Sequence, residues 1–320
     1  MKRKEYPIHP DFMPLAKLNP PLNRALLPLM QKSMGSLWRL ERSGDGVVVE
    51  KIQIRRDKGE IMRALLYSPE GMERGSGSLP CLVCYHGGGF VFNAAPYHFH
   101  NAREYCRNAR CRVLLVDYRL APAHVFPAAL DDAFAAYRWA QTRADELDID
   151  VSRIAVGGDS AGGSLAAGVC LMARDYGAAV PCGQLLVYPA VGAGEVTQSV
   201  LEFTDTPMCN SRDMEKYIKF YNPNCDSLSP QERRYSSPGE AEKLDGLPET
   251  YVETAEFDCL HDEGVLYAKR LEEEGIPVTL NETKGTIHGY DFMTKSEITR
   301  QSIQKRCEFL KKIFYSDREI

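Results

Sequence analysis

The stretch Ile154-Ala155-Val156-Gly157-Gly158-Asp159-Ser160-Ala161-Gly162-Gly163 decides how the rest of the chain is read. An apolar run of strand length (153–157) enters a glycine-rich turn, and an alanine-rich segment of helical length (163–176) leaves it. Gly158-x-Ser160-x-Gly162 therefore puts a serine on a sharp strand-to-helix turn, with its hydroxyl raised above the carboxyl edge of a sheet. Glycines flank it because side chains there would strike neighbouring backbone, and the helix N-terminus behind it favours developing negative charge. A bare Gly-x-Ser-x-Gly is common by chance; between a strand and a helix it reads as an exposed nucleophile.

A serine hydroxyl attacks only if a base takes its proton and a third group orients that base. The chain has seven histidines. His288, in Ile287-His288-Gly289-Tyr290, follows the last expected strand and occupies a loop that should return to the same sheet edge. For the carboxylate, Asp258 lies just past the expected strand 250–254, with Asp262 and Glu263 as nearby rivals whose bland reading is first-turn helix charges. His9 and His261 read as surface residues; His98, His100 and His124 read as packing or loop hydrogen-bonders. His86-Gly87-Gly88-Gly89-Phe90 follows another strand, and its three glycines expose N–H groups as an oxyanion hole requires. It lacks the Gly-Lys-Ser/Thr ending of a P-loop and the Gly-x-Gly-x-x-Gly spacing of a dinucleotide site. The chain order serine, aspartate, histidine differs from both common serine-protease orders.

Around these motifs strands and helices alternate. Residues 47–54 and 61–67 read as a hairpin turning at Asp57-Lys58-Gly59. Continuous apolar runs at 81–85 and 112–117, with 184–188, 250–254 and 278–280, read as strands of a parallel sheet covered on both faces. Helices are expected over 97–108, 128–142, 262–274 and 296–315. Two parts break the alternation: the proline-rich residues 1–45, closed by Ser43-Gly44-Asp45-Gly46, and an excursion at 190–245. Together they read as a lid over a catalytic domain spanning 46–320.

Composition narrows the function. With 44% hydrophobic and 26% charged residues the chain is an ordinary globular one, not disordered or fibrous. Its net charge of −5, with no basic cluster beyond Met1-Lys2-Arg3-Lys4, argues against a nucleic-acid partner. No apolar run approaches the ~20 residues that span a bilayer, and Tyr6-Pro7-Ile8-His9-Pro10 interrupts any signal peptide, so a cytoplasmic location without membrane attachment is expected. Ten cysteines in 320 residues, several inside apolar runs, read as reduced buried thiols. Cys81-x-x-Cys84 lies within a strand and lacks a second pair at zinc-finger spacing.

Six motifs in order now resemble one family, the hormone-sensitive-lipase-like branch of the α/β-hydrolases. They are His86-Gly87-Gly88-Gly89-Phe90, Asp117-Tyr118-Arg119-Leu120-Ala121-Pro122, Phe126-Pro127-Ala128-Ala129, Gly158-Asp159-Ser160-Ala161-Gly162-Gly163, Asp258-x-Leu260-x-Asp262-Glu263-Gly264 and His288-Gly289-Tyr290. The resemblance implies an eight-stranded, mostly parallel α/β sheet with helices on both faces and a helical cap. It makes Ser160, Asp258 and His288 the catalytic triad, with Gly88, Gly89 and Ala161 as oxyanion donors. It implies short-chain acyl esters as substrates, acetyl to about hexanoyl, with no metal or organic cofactor, and dimerisation through an edge strand or the last helix. By position, Phe90, Phe92, Tyr97, Tyr188, Phe203 and Met208 are candidates to line the substrate pocket. The chain departs from the family pattern at Ala123, where glutamate is usual; at Cys259, where proline follows the acid; and at Tyr290, where phenylalanine is commoner. Amide hydrolysis and sugar deacetylation by the same triad stand as alternatives. A receptor role, as in family members that have lost the histidine, is disfavoured by His288.

Overall fold

The computed structural model describes residues 5–18, 22–56 and 59–316. The basic start Met1-Lys2-Arg3-Lys4 and the hairpin residues Asp57 and Lys58 lie outside them. Eight strands form one sheet: β1 (Val47–Arg55), β2 (Ile61–Pro69), β3 (Leu79–Tyr85), β4 (Arg112–Asp117), β5 (Ile149–Asp159), β6 (Gln184–Val187), β7 (Thr250–Phe257) and β8 (Val278–Ile287). Their order across the sheet is β1-β2-β4-β3-β5-β6-β7-β8; β2 runs antiparallel to both its neighbours and all other pairs are parallel.

Strand alternation explains why the inner strands read as unbroken apolar runs. Along β4, Leu114 and Val116 enter one core cluster while Val113 and Leu115 enter the other, on the opposite face. Each buried aliphatic side chain contributes roughly 1.5–3 kcal/mol. The helices Ala128–Thr142, Ala161–Asp175 and His261–Glu273 cover the first face; Pro96–Ala109 and Glu297–Tyr315 cover the second. Every residue from Ala161 to Ala173 is buried, so that helix is small and apolar all round instead of amphipathic.

Two of the observed strands extend furthest beyond the expected ones. β5 begins at Ile149 and β8 continues to Ile287. Both extensions carry polar, partly exposed residues (Asp150 and Ser152; Asn281, Glu282 and Lys284), which broke the apolar pattern. The N-terminal segment forms a 3₁₀ helix (Pro10–Lys17) and short helices (Leu27–Gly35 and Leu37–Leu40), and the 190–245 excursion holds the helices Gln198–Glu202, Ser211–Tyr221 and Pro230–Ser236. All ten cysteines are free, Cys81 and Cys84 among them within β3, and burial pushes the Cys81 thiol up to about 12. Among the described residues no helix is long and apolar enough to cross a membrane.

Candidate active site

Strand order fixes where the site forms. After β3 the chain moves outward to β4, then returns to place β5 on the other side of β3. Loops leaving the carboxyl ends of β3 and β5 thus diverge and open a crevice between them. Tyr85 of β3 pairs with Gly158 of β5, so the loop beginning at His86 stands beside Ser160. The other end of the sheet adds a second coincidence of register. Phe257 pairs with Ile287, and the next residue on each strand is Asp258 on one and His288 on the other.

Those registers close a relay. Ser160 Oγ lies 2.8 Å from His288 Nε2, and His288 Nδ1 lies 2.7 Å from Asp258 Oδ2. Asp258 is fully buried, and its Oδ1 accepts the Leu260 N–H at 3.0 Å. Burial alone would depress the imidazole; the charge and hydrogen bond of Asp258 outweigh it and raise the His288 pKa to about 9. Ser160 has φ +54° and ψ −120°, a conformation held by the tight turn around it. A Cβ on Gly162 would sit 2.0 Å from the Tyr85 carbonyl oxygen, so only glycine lets the helix start this close to β3.

The rivals of Asp258 are used elsewhere. Asp262 accepts the Ser199 N–H at 2.8 Å, and Glu263 accepts the Gly192 N–H at 3.1 Å. Both therefore tie down the 190–199 segment, a role beyond the helix-end charges expected of them. Burial raises the Glu263 pKa to about 8, and the nearby Asp258 charge adds to the rise.

The glycine loop is anchored by Asp159, to which the sequence reading gave no role, together with His98, expected there as a packing or loop hydrogen-bonder, and Tyr97, expected as a pocket residue. Asp159 accepts the Gly87 N–H at 3.0 Å and the Tyr97 hydroxyl at 2.6 Å, with His98 Nε2 3.2 Å away. Burial opposes its ionisation, but the His98 charge and these donors win and hold its pKa at about 2. Tyr118 donates to the His86 carbonyl at 2.7 Å and stacks on the His86 ring at 4.3 Å. The next residue, Arg119, pairs with buried Asp132 at 2.8 Å, so the Asp117-Tyr118-Arg119 motif braces the loop from below. A Cβ on Gly89 would sit 2.2 Å from the Tyr217 ring, which packs against that glycine.

Gly88, Gly89, Ser160, Ala161 and His288 open onto a largely apolar cavity of about 200 Å³. Phe90, Phe92, Tyr97 and Met208 line it, as expected. Tyr188 and Phe203 do not. Tyr188 follows β6 and is buried in the core, where its hydroxyl meets Asp291 at 2.5 Å and its ring supports the His288 ring at 4.8 Å. Phe203 packs outside the cavity between Tyr6 and Phe257. The walls that were missed come from the irregular segments: Met30 and Met34 of Leu27–Gly35, and Met214, Tyr217, Ile218 and Tyr221 of Ser211–Tyr221. Spacing was a usable signal there, because 214, 217, 218 and 221 fall on one helical face. Of the departures, Ala123 is exposed, Tyr290 donates its hydroxyl to buried Glu253, and Cys259 lies against Cys209.

Residues 82–292 match the model of a family described as having the alpha/beta hydrolase fold. Esterase LipI of Mycobacterium tuberculosis is 37% identical over 211 residues, 66% of this chain and 65% of that protein. Carboxylesterase NlhH of the same organism is 40% identical over 214 residues, 67% of each chain. These alignments span about two thirds of the relatives' length. A solved Pyrobaculum calidifontis esterase superimposes with a TM-score of 0.83 at 35% identity, covering 96% of this chain and 99% of that one. By these matches the chain belongs to the α/β-hydrolase fold family, in its hormone-sensitive-lipase-like branch of carboxylic ester hydrolases.

Proposed function

We propose that this chain is a serine carboxylesterase for short-chain acyl esters, acetyl to about hexanoyl, working through an acyl-enzyme. The observation that carries this reading is the relay Ser160–His288–Asp258, with steps of 2.8 and 2.7 Å, at the mouth of an apolar cavity. At about 200 Å³ the cavity falls below the ~300–1,000 Å³ typical of drug-sized ligand sites, which favours a short acyl group.

In the first half-reaction His288 Nε2 takes the Ser160 proton as Oγ attacks the ester carbonyl. The oxyanion rests on the N–H groups of Gly88, Gly89 and Ala161. His288 then gives its proton to the leaving alcohol, and water repeats the sequence on the acyl-enzyme. Asp258 holds the imidazole tautomer and stabilises its positive form. None of these steps requires a metal or organic cofactor. In this reading residues 1–45 and 190–245 form the cap, since Met30, Met34 and the Ser211–Tyr221 helix wall the cavity.

A chain-length series of p-nitrophenyl esters from acetate to palmitate, run with Ser160→Ala and with a matched amide, tests the proposal. The expected maximum lies between acetate and hexanoate, with kcat about 10⁶-fold lower in the variant. A folded wild-type chain that turns over the amide and none of the esters would overturn it.

A further inference from the structure

Two thiols stand directly beside the acid of the relay and take no part in it. Cys259 follows Asp258 in the chain, and Cys209 precedes the helix Ser211–Tyr221. The fold brings their sulfurs to 3.9 Å. Both sulfurs and a carboxylate oxygen of Asp258 fall within 4.8 Å of one another. Cys259 and Asp258 are fully buried, and Cys209 is 4% exposed. Cys209 also lines the cavity, so a small solute that reaches Ser160 reaches one edge of the cluster.

Two sulfurs and an oxygen at this spacing suit a particular kind of ion. With Zn–S bonds of about 2.3 Å and tetrahedral angles, the two sulfurs of a zinc site stand about 3.8 Å apart. The 3.9 Å found here is close to that separation before any ion binds. A carboxylate oxygen supplies the third ligand, and water from the cavity can fill the fourth position. Thiolate ligands select zinc and cadmium; magnesium and calcium require oxygen shells that this cluster lacks.

We infer that Cys209, Cys259 and Asp258 form an inhibitory site for a thiophilic divalent cation of the zinc and cadmium type. Binding exchanges the two thiol protons for the cation, leaving two thiolates and the carboxylate around it. The two thiolates balance the cation, so the cluster keeps its single negative charge. The coupling comes from coordination, which draws the Asp258 carboxylate, whose Oδ2 holds His288 Nδ1 at 2.7 Å, onto the cation and weakens its hold on the imidazole. This coupling rests on the reading of Asp258 as the acid of the relay; the binding itself does not. A charge-assisted hydrogen bond to the imidazole that is weakened in this way should lower turnover at least about tenfold.

Cadmium chloride titrated into the purified chain, kept reduced with a thiol-free phosphine, tests both parts. The ultraviolet thiolate-to-cadmium charge-transfer band reports binding, and ester turnover is read on the same samples. The expected result is one cadmium ion per chain, with turnover lost at the same midpoint and restored by a chelator. The band should vanish in both Cys259→Ser and Cys209→Ser, and magnesium chloride should give neither effect. No band in the wild type, or a band undiminished in both variants, overturns the site. A band that depends on both cysteines without loss of turnover overturns the inhibitory coupling. If the metal-free chain turns over no ester, the esterase reading fails while the band still decides the site.

Discussion

Asp258→Asn keeps the shape of the acid and removes its charge, which makes it the sharpest test of the relay. The rise of His288 from an ordinary 6.5 to about 9 corresponds to about 3 kcal/mol of imidazolium stabilisation. The carboxylate is the largest contributor to this rise, which is reached against burial, since burial pushes the ring the other way. Asparagine also frees the imidazole to adopt the wrong tautomer, and the two losses together predict a fall in kcat of about 10⁴, or about 5.5 kcal/mol. The sign of the pH dependence follows from the role. A protonated ring cannot accept the Ser160 proton, so wild-type kcat/KM should rise about tenfold per pH unit and level off near pH 9. Without the carboxylate, burial moves that limb below about 6.5, so the deficit is largest at high pH and narrows toward neutrality. The assay is kcat/KM for p-nitrophenyl acetate against pH on both proteins, with thermal unfolding to establish that the variant is folded. A folded variant with near-normal turnover and a limb still near pH 9 refutes the assignment and moves the acid role to Asp262 or Glu263.

Three further substitutions probe what surrounds the relay. Asp159→Asn removes the charge that holds the Gly87 N–H and the Tyr97 hydroxyl. Each such bond is worth about 1.5–3 kcal/mol, so kcat should fall tens of fold with a smaller change in KM, read from full saturation curves. Tyr217→Ala takes away the ring lying on Gly89 and enlarges the cavity; ester chain-length profiles should shift toward longer acyl groups, and urea unfolding should show a cost of about 3–5 kcal/mol. Arg306→Met leaves Glu253 and Asp291 buried without their shared cation, 2.5 and 2.8 Å away in the native chain. Urea unfolding should register a loss of about 3–5 kcal/mol, and an unchanged midpoint would show that the network contributes nothing to stability.

The Arg306 network also shows how the histidine loop is held. Tyr290 and Asp291, just beyond His288, both reach Arg306, whose side chain is wholly buried under the sheet edge. Asp291 in turn accepts the Tyr188 hydroxyl, and the Tyr188 ring braces the imidazole. The tyrosine at 290 therefore adds a polar anchor that a phenylalanine there would lack.

What the sequence determined by itself was local and periodic. Two-residue alternation and apolar runs marked the strands, and glycine placement marked the nucleophile turn and the loop after β3, because both signals come from backbone sterics and solvent exposure that each segment experiences alone. The serine, histidine and aspartate could be named because their loops leave the carboxyl ends of strands, a constraint of topology. The choice of Asp258 over its neighbours was different. Asp258, Asp262 and Glu263 lie within six positions of one another, and only the Phe257–Ile287 register sets Asp258 beside His288 while the helix turns the other two toward residues 190–199. The cavity walls likewise belong to the tertiary structure. Met30 and Met214 are far apart in the chain, on helices that only packing brings together, and Tyr188 and Phe203 look like lining residues until packing sends them elsewhere. The meeting of Cys209 with Cys259 has the same origin: chain order records neighbours along the backbone, whereas a site is defined by neighbours in space, and long-range packing alone brings those together.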